Sequence, residues 1–124
     1  MATRGVDIDT VRSLALALPE VTERQSWGRP AWFHRRLVAR LWDDHRLTVH
    51  VEDDGERQAL AAQEPGLYST TDHHRGTDLV LVDLRVAGTA LVGSLLGESW
   101  WWAAPPVLRR AHPALGPPPD APTP

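Results

Sequence analysis

The chain has 124 residues, 42% of them hydrophobic, with 13 basic residues (all arginine), 16 acidic ones and no cysteine. That length supports one domain with a core of useful size, and the missing cysteine excludes disulfides, thiolate metal sites and a cysteine nucleophile. A net charge of −3 argues against a wholly basic nucleic-acid binder, and no apolar run reaches the roughly 18 residues of a membrane helix.

Taken in order, Met1 to Gly5 lacks the charged-then-apolar build of a signal peptide, so a cytoplasmic address is expected. The first helix is predicted from Asp7 to Leu18. Asp7 supplies a cap, Asp9 a negative charge in the first turn, and Val11, Leu14, Ala15 and Leu18 an apolar stripe. Pro19 ends it, and Glu20 to Arg24 leads into the sheet.

The stretch from Ser26 to Glu52 reads as three consecutive antiparallel strands. After Gly28-Pro30, Ala31, Phe33 and Arg35 alternate with Trp32, His34 and Arg36. Val38–Trp42 and Leu47–Val51 then flank Asp43-Asp44-His45-Arg46, a polar linker suited to a hairpin turn. Leu47, Val49 and Val51 oppose Thr48, His50 and Glu52, which predicts a sheet with one buried and one wet face.

A second helix is expected from Asp53, where Glu56 completes capping-box spacing, to Pro65-Gly66. Leu67–Thr71 and Leu79–Leu84 read as strands separated by the loop Asp72 to Gly76. The third helix runs from about Thr89 to Trp102, with Leu91, Val92, Leu95, Ser99 and Trp102 on one face. Five of the last eight residues are proline, so 1–112 is expected to be one domain and 113–124 a disordered tail. Helix, three strands, helix, two strands, helix gives an α+β two-layer sandwich, α-β(3)-α-β(2)-α, with the helices on one face of an antiparallel sheet.

Four pieces of the chain resemble the MmcQ/YjbR family of small bacterial proteins with a CyaY-like fold. They are Leu14–Val21, Ser26-Trp27-Gly28-Arg29-Pro30-Ala31-Trp32, His73-His74-Arg75-Gly76, and Glu98-Ser99-Trp100 leading to Ala104-Pro105. The resemblance spans residues 8 to about 110 and implies the same sandwich, together with DNA binding through a double-wing arrangement of strands. This chain departs from the pattern at His74, where an aromatic is more usual, and at Pro106, where a lysine is usual. The CyaY-like fold also implies a check for iron binding, but Asp7, Asp9, Glu20 and Glu23 are too few and scattered for an acidic ridge.

Two binding surfaces compete. Between Arg24 and His50 six arginines face only Asp43 and Asp44, a local balance of +4. Arg29, Arg35, Arg36, Arg40 and Arg75 are the candidate nucleic-acid contacts, since guanidinium groups suit bidentate phosphate binding. On the strand pattern Arg36 and Arg40 share the open face with His34 and His50; the plainer reading is a solvated face whose arginine stems cover apolar surface. The alternative is a cleft for a small planar ligand or a protein, lined by Trp27, Trp32, His73, His74, Trp100 and Trp101. Each of these residues also has a structural reading, as core aromatic or loop histidine, and consecutive tryptophans on a helix cannot all share one side. A proline-rich tail docking a partner is a third option. His73-His74 lacks metal-site spacing, and no nucleophile elbow or phosphate loop is present. The expectation is therefore a non-enzymatic binding module without metal or cofactor, with no membrane partner.

Overall fold

The computed structural model describes residues 5–116. Helix α1 (Ile8–Leu16) precedes strands β1 (Thr22–Ser26), β2 (Arg29–Phe33), β3 (Leu37–Leu41) and β4 (Arg46–His50). Helix α2 (Asp54–Gln63), strand β5 (Tyr68–Ser69), a 3-10 turn (Asp72–His74) and strand β6 (Leu79–Asp83) follow. Helices α3 (Thr89–Ala103) and α4 (Pro106–Ala111) and a 3-10 turn (Pro113–Leu115) complete the chain.

The helix starts follow from their caps. Asp7 accepts a hydrogen bond from the Thr10 amide at 2.8 Å, and Asp53 accepts one from the Glu56 amide at 2.8 Å. Each satisfies one of the amide donors left open at a helix N-terminus. The Thr10 bonds also hold the Asp7 carboxyl below its ordinary range.

One antiparallel sheet has the order β1-β2-β3-β4-β6-β5. Its register places Trp32, Ala39, Val49 and Val80 in one row and Leu41, Leu47, Val82 and Tyr68 in the next. These rows join Val92, Leu96 and Trp100 of α3 and Val11 and Ala15 of α1 in a single core. The helices therefore cover this face. α1 packs on α3 beside Gly93, where an added Cβ would make ordinary contact with Leu14 Cδ2 at 3.7 Å.

Two polar side chains, Ser99 of α3 and His34 of the bend after β2, lock the layers together. Ser99 is fully buried, donates to the Val38 carbonyl at 2.5 Å and accepts from the His50 amide at 2.8 Å. Its hydroxyl thus stands in for a ladder bond between β3 and β4. His34 Nδ1 accepts from the amides of Arg35 and Arg36, which leaves Nε2 to donate to the Trp100 carbonyl at 3.0 Å. That arrangement requires a neutral ring, and burial pushes the His34 pKa down.

The structure corrects several sequence expectations. A strand, β1, precedes the three anticipated ones. Its sequence, Thr-Glu-Arg-Gln-Ser, is mostly exposed at the sheet edge and so carries no apolar period. Strand β2 ends at Phe33, and 34–36 is a bend, so His34 and Arg36 do not alternate along a strand. Trp100, not Trp102, is the tryptophan of α3 in the core, because the buried stripe runs through Val92, Leu96, Ser99 and Ala103. Residues 106–111 form α4, begun by Pro106 in the first turn, where a missing amide costs nothing. Residues 113–116 of the expected tail are built, with Leu115 packed on the core; the rest of that tail, 117–124, lies outside the described residues.

Candidate functional site

The sheet face away from α3 was expected to be wet. Its central row runs Arg24, Ala31, Arg40, Thr48, Leu81 and Ser69 across all six strands. Ala31, Thr48 and Leu81 are nonetheless buried, at 0%, 2% and 0% exposure. The roof is the 3-10 turn after β5: His74 is buried with its ring 5.0 Å from Trp42, and the Arg40 guanidinium lies 5.1 Å from the Trp42 ring. Burial, with His73 and Arg40 nearby, pushes the His74 pKa down. Thr48 Oγ1 is the buried side-chain atom beneath this roof without a partner among the described residues.

The five candidate arginines do not form one stripe. Arg29 sits at the β1–β2 hairpin and is paired with Asp44 at 3.1 Å. Arg35 and Arg36 lie in the bend joining β2 to β3, at the opposite end of those strands. Arg40 lies mid-sheet over Trp42, and Arg75 pairs with Asp72 at 2.7 Å. Arg46 is likewise held by Asp43 at 2.7 Å. Asp43 and Asp44, the two carboxylates already counted in the local balance, hold Arg46 and Arg29, so the +4 rests on Arg24, Arg35, Arg36 and Arg40, of which Arg24 lies over Phe33 and Arg40 over Trp42.

The six candidate cleft residues are separated as well. Trp32 and Trp100 are fully buried, their indole N–H groups donating to Glu23 and to the Pro19 carbonyl, each at 2.9 Å. Glu23 also accepts from Arg12, which is the main reason its carboxyl lies below the ordinary range. Trp27 is 90% exposed at the β1–β2 tip, and it and Gly28 take φ of 55° and 77°, the left-handed pair a tight two-residue hairpin turn demands. His73 and His74 belong to the roof on the other face. Of the six, Trp101 alone lines the cleft on the helical side.

That cleft, of about 530 Å³, lies between α2, α3, β5 and the last 3-10 turn. Its apolar body comes from Leu60, Leu91, Leu95 and Leu115, its aromatic surface from Tyr68, Trp101 and Trp102, and its polar rim from Glu52, Glu56, Ser94 and Glu98. Tyr68 is only 5% exposed, yet its hydroxyl has no hydrogen-bond partner among the described residues. Desolvation, then the carboxylates of Glu64, Glu98 and Glu56, pushes its pKa up. Partial desolvation and the neighbouring Glu56 likewise raise the Glu98 pKa.

The tryptophan wall is fixed from outside. Arg109 of α4 donates to the carbonyls of Trp101 at 2.9 Å and Trp102 at 3.3 Å, satisfying the end of α3, and its guanidinium lies 5.1 Å and 5.9 Å from their rings. Gly116 lies against the Trp101 indole so closely that a Cβ there would come within 2.8 Å of it. Sequence reasoning placed Tyr68 in a strand, Glu56 in a cap and Trp102 in the core. The available signal was a second stripe on α3, Leu91, Ser94, Glu98 and Trp101, beside the core stripe.

A second cleft, of about 610 Å³, lies between the start of α1 and the β3–β4 turn, lined by Asp7, Thr10, Asp44, His45 and Arg85 among others, with no tryptophan, tyrosine or phenylalanine. Among the described residues no group of three or more metal-ligating side chains stands together, and no helix is long and apolar enough to cross a membrane.

A family model described as YjbR matches residues 16–102, which contain the strands, α2 and most of α3. The chain belongs to the YjbR family. Curated relatives are uncharacterised proteins of Mycobacterium bovis (Mb2600) and Mycobacterium tuberculosis (Rv2570), each 41% identical over 63 residues. The match covers 51% of this chain and 49% of each relative, so the chain spans about half the length of the curated relatives it matches. Among solved structures, Deinococcus radiodurans protein DR2400, with a DUF419 domain, superposes with a TM-score of 0.70 at 20% identity, covering 94% of this chain and 92% of that one. It shares the YjbR fold.

Proposed function

We propose that this YjbR chain is a non-catalytic binding module whose site is the cleft between α2 and α3, and that it takes a small ligand with a planar apolar body. The observation that carries this reading is Tyr68, a residue only 5% exposed whose hydroxyl makes no hydrogen bond among the described residues, on the wall of a cleft large enough for a small molecule. A hydroxyl with no protein partner on a concave aromatic surface is available to an incoming ligand. Trp101 and Trp102 add flat surface already anchored by Arg109. The test is a tryptophan-fluorescence titration with small aromatic compounds. A saturable change in the wild type, lost in Trp101→Ala and blocked by Ser94→Phe, supports the reading. Responses unchanged in both variants exclude this cleft.

A second reading, nucleic-acid binding, is favoured by Arg35, Arg36 and Arg40, which have no carboxylate partner among the described residues. It predicts affinity for duplex DNA falling with salt at a slope near −0.9 per contacted phosphate. Arg36→Glu with Arg40→Glu would abolish it. Absence of binding at low salt would retire it.

A further inference from the structure

We infer that the cleft selects a small organic cation, an ammonium carried on a compact apolar or aromatic body. This rests on the reading of the cleft as the binding site and adds the charge of what enters it. Two independent features point the same way. The first is the charge of the lining: Glu52, Glu56 and Glu98 bring three carboxylates, while no arginine or histidine is among the lining residues. Seven carboxylate-bearing residues have arginine partners elsewhere in the fold (Asp9, Glu23, Asp43, Asp44, Asp54, Asp72 and Asp83), whereas these three have none among the described residues. The nearest cation on α2, Arg57, turns away to Asp54 and the Leu79 carbonyl. Arg109 lies outside the lining, spent on the carbonyls of Trp101 and Trp102.

The second feature is the wall. Tyr68, Trp101 and Trp102 line the cleft, and the faces of indole and phenol rings attract cations. The unpartnered Tyr68 hydroxyl adds an oxygen lone pair for an N–H donor. Glu52, Glu56 and Glu98 are exposed on the rim, so an anion would meet three like charges while a neutral ligand would gain nothing from them. An ammonium is the group that relieves both the repulsion between Glu56 and Glu98 and the open acceptor of Tyr68.

The experiment compares benzylammonium, benzyl alcohol and benzoate, which share a ring and differ in charge, by calorimetric titration of the full chain near neutral pH. Benzylammonium is expected to bind about tenfold more tightly than benzyl alcohol, as one unit charge near partly screened carboxylates provides, and benzoate most weakly. In a Glu56→Gln/Glu98→Gln variant, with both changes on the cleft rim, the preference should shrink to about twofold or less. Equal binding of benzylammonium and benzyl alcohol overturns the cation inference and leaves the aromatic cleft standing. No binding by any of the three overturns both. A preference that persists in the double variant places the cation elsewhere and overturns the inference.

Discussion

The two sides of α3 are built to opposite rules. Toward the sheet, every polar group that α3 buries is answered: Ser99 bridges Val38 and His50, the Trp100 indole donates to Pro19, and the Trp100 carbonyl accepts from His34. Toward α2, the same helix presents Glu98 beside Glu56 and a wall completed by an unpartnered tyrosine hydroxyl. Satisfied polar groups specify a fold, whereas unsatisfied ones in a concavity are available to a ligand. The open sheet face is mixed: Arg29, Arg46 and Arg75 are held by aspartates and Arg40 lies over Trp42, while the buried Thr48 hydroxyl has no partner among the described residues.

Substitutions on the two sides should therefore diverge. Trp100→Ala removes a fully buried indole and should cost about 3–5 kcal/mol, measured by denaturant unfolding. Trp101→Ala, on the partly buried wall, should cost clearly less; equal losses would break the contrast. Ser99→Ala leaves the Val38 carbonyl and the His50 amide without their bridge and should cost about 1–3 kcal/mol. On the cleft side, Glu98→Gln should leave the melting temperature unchanged or raise it slightly, because a raised carboxyl pKa means that the charge opposes folding. The sign fixes its pH dependence: a group with a raised folded pKa contributes stability that is present below the ordinary glutamate range and lost as pH rises through the raised value. The wild type should thus gain on Glu98→Gln as pH is lowered from neutral, and a widening deficit would contradict this account.

Histidine chemistry gives the smallest of these effects. His34 and His74 both have lowered pKa values in the fold. Their contribution is present above the ordinary imidazole range near 6.5 and lost as pH falls through the lower folded values. Thermal stability should decline on acidification below about 6.5, and His34→Asn should flatten part of that decline. An unchanged profile in the variant would remove His34 from the account.

Much of the fold was legible. The Asp53–Glu56 cap gave α2, the alternation of Leu47, Val49 and Val51 gave β4, and the apolar run from Leu79 gave β6. What was not legible depends on tertiary partners. β1 is a polar edge strand recognisable only by its pairing with β2, and the roof over Thr48 exists because His74 meets Trp42 from a distant loop. The cleft draws on residues from Val51 to Gly116, brought together by the docking of α2, α3 and the last turn. α3 carries apolar residues on more than one side, a sign of two partners, but the sequence does not say which stripe faces the sheet. The deletion of 113–124 that would test tail docking also strips Leu115 and Gly116 from Trp101; a deletion of 117–124 leaves that packing in place.

The most direct measurement is a nuclear magnetic resonance titration that follows the six indole N–H signals as benzylammonium is added. Saturable shifts confined to Trp101 and Trp102, with Trp27, Trp32 and Trp42 unmoved, are expected if the acidic, aromatic cleft is the site. Shifts concentrated at Trp42 or Trp27 would place the ligand on the arginine face or the hairpin tip and contradict the account.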